Sequence, residues 1–197
     1  AGIVQYPRFG IFGFNENYLI LGLPLMEALS LTQFKAILAH EMCHISKRHG
    51  QFSMWSYRMI SSWQNLSDKF ETDKGIVGWI FRPFFRKFVP YYIKISKGFS
   101  REHEFESDAF AANAISGVET ARALLRSCIM TSSSRKYWEH IDQTAQSQDF
   151  PPSSIYLGYI NHMRSSFALN DVQDQLNEVM LRQTLDLDSH PSLSDRL

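Results

Sequence analysis

An α+β fold, mainly α with a small N-terminal β-sheet, is what this 197-residue sequence predicts, on three observations. Strand-like runs are confined to the start of the chain, where 10–14 and 18–21 are short aromatic or aliphatic stretches joined by a turn at Asn15-Glu16-Asn17. Beyond them, apolar residues recur at helical spacing. Gly, Pro and Ser punctuation, such as Asp149-Phe150-Pro151-Pro152, divides that remainder into segments of helix length.

Helices are expected at about 24–29, 31–49, 51–71, 100–116, 118–130, 135–147, 153–168 and 171–185. The second is the best specified: Ser30-Leu31-Thr32-Gln33 is a capping-box pattern, Phe34, Ile37, Leu38 and Ile45 form an apolar stripe, and Gly50 marks a stop. Over 100–116, Ser100 can cap, Phe105, Ala109, Ala112 and Ile115 make the stripe, and Gly117 marks the end. Residues 75–99 mix Trp79, Phe81, Phe84, Phe85, Phe88, Tyr91 and Tyr92 with Arg82, Arg86, Lys87, Lys94 and Lys97. Those charges and two prolines argue against a spanning helix, which needs about 20 largely apolar residues. The mixture suits either contact with a membrane surface or an aromatic flap over a site.

A chain of this length buries roughly 70% of its unfolded surface, enough for one core without disulfides, and 1–197 reads as one domain. Cys43 and Cys128 are its only cysteines, and Cys43 falls inside a helix, so no disulfide framework is expected. Formal net charge is zero and no basic tract stands out, which removes nucleic acid from the expected partners.

The chemistry lies in His40-Glu41-Met42-Cys43-His44. Helical residues four apart stack on one face, so His40 and His44 can ligate one tetrahedral Zn²⁺. Glu41 sits beside that face, where it can hold a metal-bound water without being a ligand. A third protein ligand is required. The Gly and His that a metzincin places after this motif are Lys47 and Gly50 here, and where a thermolysin-like enzyme would offer Glu this chain has Trp63 and Gln64. The next acidic cluster is on the 100–116 helix, where Glu104 and Asp108 share a face. One of them can ligate zinc while the other accepts the free N–H of a ligating histidine. His49, His103, His140 and His162 stay outside the ligand set; His49 is one position beyond the i,i+4 spacing, and His103 lies about 100° off the Glu104 face.

The strings LAHEMCHISKRH at 38–49, SREHEFESDAFAA at 100–112 and HPSLSDR at 190–196 resemble the three signatures of the M48 metallopeptidases, a gluzincin family that includes HtpX-type, Ste24-type and Oma1-like enzymes. The resemblance implies a zincin-like metallopeptidase domain built on an HExxH active-site helix, with one Zn²⁺ per chain. It makes His40 and His44 the first two zinc ligands, Glu104 the third, Glu41 the catalytic base and Asp108 a partner behind a ligand. In the Ste24 branch a late His-Pro and an Arg six residues beyond it point into the active site, which implies His190 and Arg196. Cys43 stands where the family usually has a small residue.

Zinc in such a site brings a bound water's pKa near neutrality and polarises a peptide carbonyl. Glu41 would take the proton and deliver it to the leaving amine, and His190 would donate to the oxyanion with Arg196 as its support or alternate. The expected function is a zinc-dependent endopeptidase acting on polypeptides in membrane-associated quality control or processing. The alternatives are a processing enzyme like the CAAX prenyl proteases and a non-catalytic, zinc-stabilised domain for interaction at membrane surfaces. Because many relatives carry membrane helices outside the catalytic core, the resemblance implies a membrane-anchored full-length protein, of which this fragment is itself soluble.

Overall fold

Two antiparallel strands open the chain in the computed structural model, which describes residues 1–8, 15–147, 154–166, 176–177 and 179–197. Strand β1 (Gly2–Pro7) pairs with β2 (Asn15–Ile20), with Gly2 opposite Ile20 and Pro7 opposite Asn15. The expected turn at 15–17 is therefore part of a strand. Glu16 pairs there with Arg8 at 3.2 Å and accepts from the Tyr18 hydroxyl, while Tyr6 and Tyr18 meet edge to face at 5.6 Å. The strand expected at 10–14 lies outside the described residues.

The mainly α body follows as α1 (Leu23–Ala28), α2 (Leu31–Ser46), α3 (His49–Thr72), α4 (Ile76–Ala114), α5 (Gly117–Ser147), α6 (Ile155–Ser166) and a short α7 (Leu193–Arg196). This is the predicted fold class, and among the described residues α4 and α5 run longer than the segments expected there. The core joins Leu25 of α1 and Leu29, the residue after it, to Ala36 and Ile37 of α2 and Ala123 of α5, with Phe34 and Met130 packed against it. Helix α2 is central, touching α3, α4, α5 and β1. It begins with the expected capping box: Gln33 N–H donates to Ser30 Oγ at 3.3 Å, and Ser30 N–H donates to Gln33 Oε1 at 3.2 Å.

The helix expected over 31–49 instead ends at Ser46. Arg48 takes a left-handed backbone at φ 59°, the only described non-glycine residue with positive φ, and α3 starts at once with His49. Gly50 is thus inside the first turn of α3 and stops nothing. Two further expected boundaries, before Ser100 and at 131–134, are absent. Residues 75–99 are neither a flap nor a separate element; they form the first part of α4 and lie along α3. Trp63 and Phe70 of α3 contact Phe81, Phe85 and Phe88 of α4 at 5.2–5.7 Å, which holds a helix through Pro83 and Pro90 despite the hydrogen bonds those prolines cannot donate. Ser100, read as a cap, is mid-helix with its hydroxyl donating to the Ser96 carbonyl at 3.1 Å. Gly117 starts α5 instead of ending the helix before it, and α5 runs unbroken through the gap expected at 131–134. Of the helix expected at 171–185, only parts are described, and 182–185 are not helical.

At the α3–α4 turn, Asp73 accepts from Gly75 N–H at 2.8 Å and Gly78 N–H at 3.0 Å, satisfying first-turn donors of α4. A side chain at position 78 would collide with the Asp73 backbone, so glycine is required by close approach.

Candidate metal centre

Three elements meet at one point. Helix α2 supplies His40 and His44, α4 supplies Glu104 and Asp108, and α7 with the loop before it supplies Arg196 and His190. The face that α4 turns inward is Glu104, Ser107, Asp108 and Ala111. The apolar stripe expected on this helix points the other way, with Phe105 39% and Ile115 36% exposed. Pairing of its charges lets the polar face be the buried one.

Nε2 of His40 and Nε2 of His44 are 3.1 Å apart; Glu104 Oε2 is 3.6 Å from the first, and its Oε1 is 3.4 Å from the second. Ligands about 2.0–2.1 Å from a tetrahedral zinc sit roughly 3.3 Å from one another, so these edges fit such an ion. Proton placement agrees. Asp108 Oδ1 accepts from His40 Nδ1–H at 2.9 Å, which leaves Nε2 as the nitrogen whose lone pair can serve as a ligand. A lone pair directed at a second imidazole nitrogen and a carboxylate is an environment that a cation satisfies. His40, His44 and Glu104 are also the one cluster of His, Cys, Asp and Glu among the described residues able to hold a metal ion, all donor atoms lying within 4.8 Å.

Arg196 closes the far side. Its Nε and Nη2 donate to Asp108 Oδ2 and Oδ1 at 2.7 and 2.8 Å, and Nη2 is 3.2 Å from Glu104 Oε2. Ser192 makes this reach possible by capping α7, its Oγ accepting from Asp195 N–H at 3.3 Å. The preceding loop is tied to α4 by Arg101, which donates to the carbonyls of Asp186 and Asp188, and by the Lys94–Asp186 pair at 2.7 Å. That places His190 Nδ1 3.2 Å from Glu104 Oε2.

Burial alone would raise the Glu104 carboxyl, but the hydrogen bond from His190 and the charges of His190 and Arg196 outweigh it and hold it well below the usual carboxylate range. Asp108 is likewise lowered, burial being overcome by Arg196 and His40. His190 is raised, first by its hydrogen bond to Glu104. His49 is lowered by burial, then by neighbouring His103 and His44, against the pull of Glu106.

A cleft of about 830 Å³ opens beside these groups, with His40, Glu41, His44, Glu104, His190 and Arg196 on its wall. Among the described residues the Glu41 carboxylate makes no hydrogen bond or ion pair. Ala1, Gly2 and Ile3 of the β1 end also line the cleft, as do Ser53, Ser56 and Ser96 from the α3–α4 pair. All seven residues singled out in the sequence are thus within one site. The reading from spacing missed His49 and Glu106, which stand directly behind His44: His44 Nδ1 lies 3.0 Å from His49 Nδ1, and His49 Nε2 lies 3.1 Å from Glu106 Oε2.

Two imidazoles from α2 and a carboxylate from α4 converge, with Glu41, which has no partner among the described residues, beside them and a cleft in front, an arrangement that suits a metallopeptidase. The model of peptidase family M48 matches residues 9–197, and the chain belongs to that family. No curated protein and no solved structure matches it.

Proposed function

We propose that the protein is a zinc-dependent endopeptidase in which His40, His44 and Glu104 hold one Zn²⁺ and Glu41 is the general base. The observation that carries this is the convergence of His40 Nε2, His44 Nε2 and the Glu104 carboxylate, with contacts of 3.1–3.6 Å, beside Glu41 on the histidines' own helix, a carboxylate with no partner among the described residues. When bound, the metal acidifies a water and polarises the scissile carbonyl. Glu41, at the cleft wall, takes the water's proton and passes it to the leaving amine. His190 Nδ1–H, now directed at Glu104, is the donor for the oxyanion, and Arg196 supports it by fixing both carboxylates. Asp108 orients His40. The β1 end at the cleft is suited to hold a substrate backbone as an added strand. A non-catalytic structural zinc would normally be closed by four protein ligands, whereas three converge among the described residues.

The test is cleavage of unfolded casein. Protein stripped by chelator should be inactive, and about one equivalent of zinc per chain should restore cleavage. Cleavage that persists after the metal is removed would defeat the reading.

The α3–α4 arm favours a membrane surface as the place of action. Ile76 is 77% and Trp79 76% exposed at its turn, with Ile80 and Phe84 also exposed and Lys74, Arg82, Arg86 and Lys87 alongside. Apolar and basic side chains together suit the interface of an anionic bilayer. No helix among the described residues is long and apolar enough to cross a membrane. Vesicles containing phosphatidylserine should shift the tryptophan emission to shorter wavelength, and Trp79→Ser with Ile76→Ser should weaken binding about tenfold or more. Equal binding by the double variant would remove the arm from this role.

A further inference from the structure

We propose that His49 is a positioning residue for His44, the middle of a chain running His44–His49–Glu106–Lys47. This rests on the reading that His44 is a metal ligand. The two ligand histidines are held differently. His40 donates directly to a carboxylate, that of Asp108, whereas His44 meets another imidazole, with Nδ1 to Nδ1 at 3.0 Å.

The direction of that bond is set from the outer end. Glu106 is paired with Lys47 Nζ at 2.8 Å and its carboxylate can only accept, so His49 Nε2–H is the donor across 3.1 Å. A neutral His49 then offers only a lone pair at Nδ1. His44 must therefore carry its proton on Nδ1 and donate it to His49, which leaves Nε2 free to face His40 and Glu104. An imidazole with a carboxylate behind it thus does for His44 what Asp108 does for His40.

The backbone break is what makes this contact. On an uninterrupted helix, a residue five positions on lies about 140° round the axis and cannot face its predecessor. The left-handed Arg48 ends α2 and brings His49 back over His44 as the first residue of α3. His49 is 5% exposed, and its ring plane is fixed by stacking on His103 at 3.9 Å and 4°.

The test is zinc affinity, measured by chelator competition on the wild type, His49→Phe, His49→Asn and Glu106→Ala, with the Co²⁺ absorption spectrum and melting of the metal-free protein alongside. Phe keeps a ring to stack on His103 but has no lone pair; its zinc affinity should fall about 10- to 100-fold with an altered Co²⁺ spectrum, the usual loss when a partner behind a ligand is removed. Asn places Oδ1 near the position of Nδ1 and should restore affinity to within a few-fold of wild type. Glu106 is half exposed, so Glu106→Ala will fold, and it should lose affinity to an intermediate degree by freeing the His49 tautomer. Wild-type affinity in His49→Phe, equal losses in Phe and Asn, or unchanged affinity in Glu106→Ala would each overturn the proposal. Failure of the wild type itself to bind zinc would overturn the metal reading and this one with it.

Discussion

Glu41→Gln is expected to lower casein cleavage by at least about 10²–10⁴-fold, the usual contribution of a positioned general base, while zinc content stays at the wild-type level. The separation of the two readouts follows from geometry. Glu41 is next to His40 on α2 and lines the cleft, yet it is not in the donor triangle and pairs with nothing among the described residues. Its amide therefore replaces it without unpairing any neighbour, so neither folding nor the metal should change. What is lost is a basic oxygen. Wild-type cleavage by Glu41→Gln would sink its role as base, and loss of zinc together with activity would mean that Glu41 belongs to the ligand set.

Arg196→Met is expected to destabilise the metal-free protein by about 3–5 kcal/mol at pH 7, the cost of leaving buried charge without its partner. Arg196 makes a two-pronged contact with Asp108 and reaches Glu104, and the side chains of all three are no more than 13% exposed. Methionine fills a similar volume but leaves two carboxylates facing one another. The sign of the pH dependence follows from the lowered carboxyls of Asp108 and Glu104. A group depressed in the folded state contributes stability above its unfolded pKa, near 4, and that stability is lost as pH falls through the folded value. The gap between wild type and variant, read by urea unfolding, should thus be full at pH 7 and shrink below about pH 4. A variant as stable as wild type at pH 7 would show that the carboxylates do not depend on Arg196.

What could be read from the sequence was local. The Ser30–Gln33 capping box and the shared face of His40 and His44 are set by neighbours within one turn, and the structure reproduces both. Glu104 and Asp108 were legible as a pair for the same reason, although the apolar stripe placed beside them points to solvent, because charge pairing across α2, α4 and α7 outweighs side-chain polarity on α4. The continuity of α4 through Pro83 and Pro90 was not legible, since it depends on aromatic contacts from α3, about twenty residues away in sequence. Nor was the contact of His49, which turns on a left-handed Arg48 that no residue type announces. Arg196 and Asp108 are 88 positions apart, and only the motif at the chain end pointed to their meeting.

Zinc bound per chain, measured by metal analysis on wild type and Glu104→Ala purified side by side, decides whether His40, His44 and Glu104 together hold the ion. Wild type should hold about one zinc and Glu104→Ala well under half of that under the same dialysis, because the donor triangle loses a corner. Equal zinc in the two proteins would contradict the site.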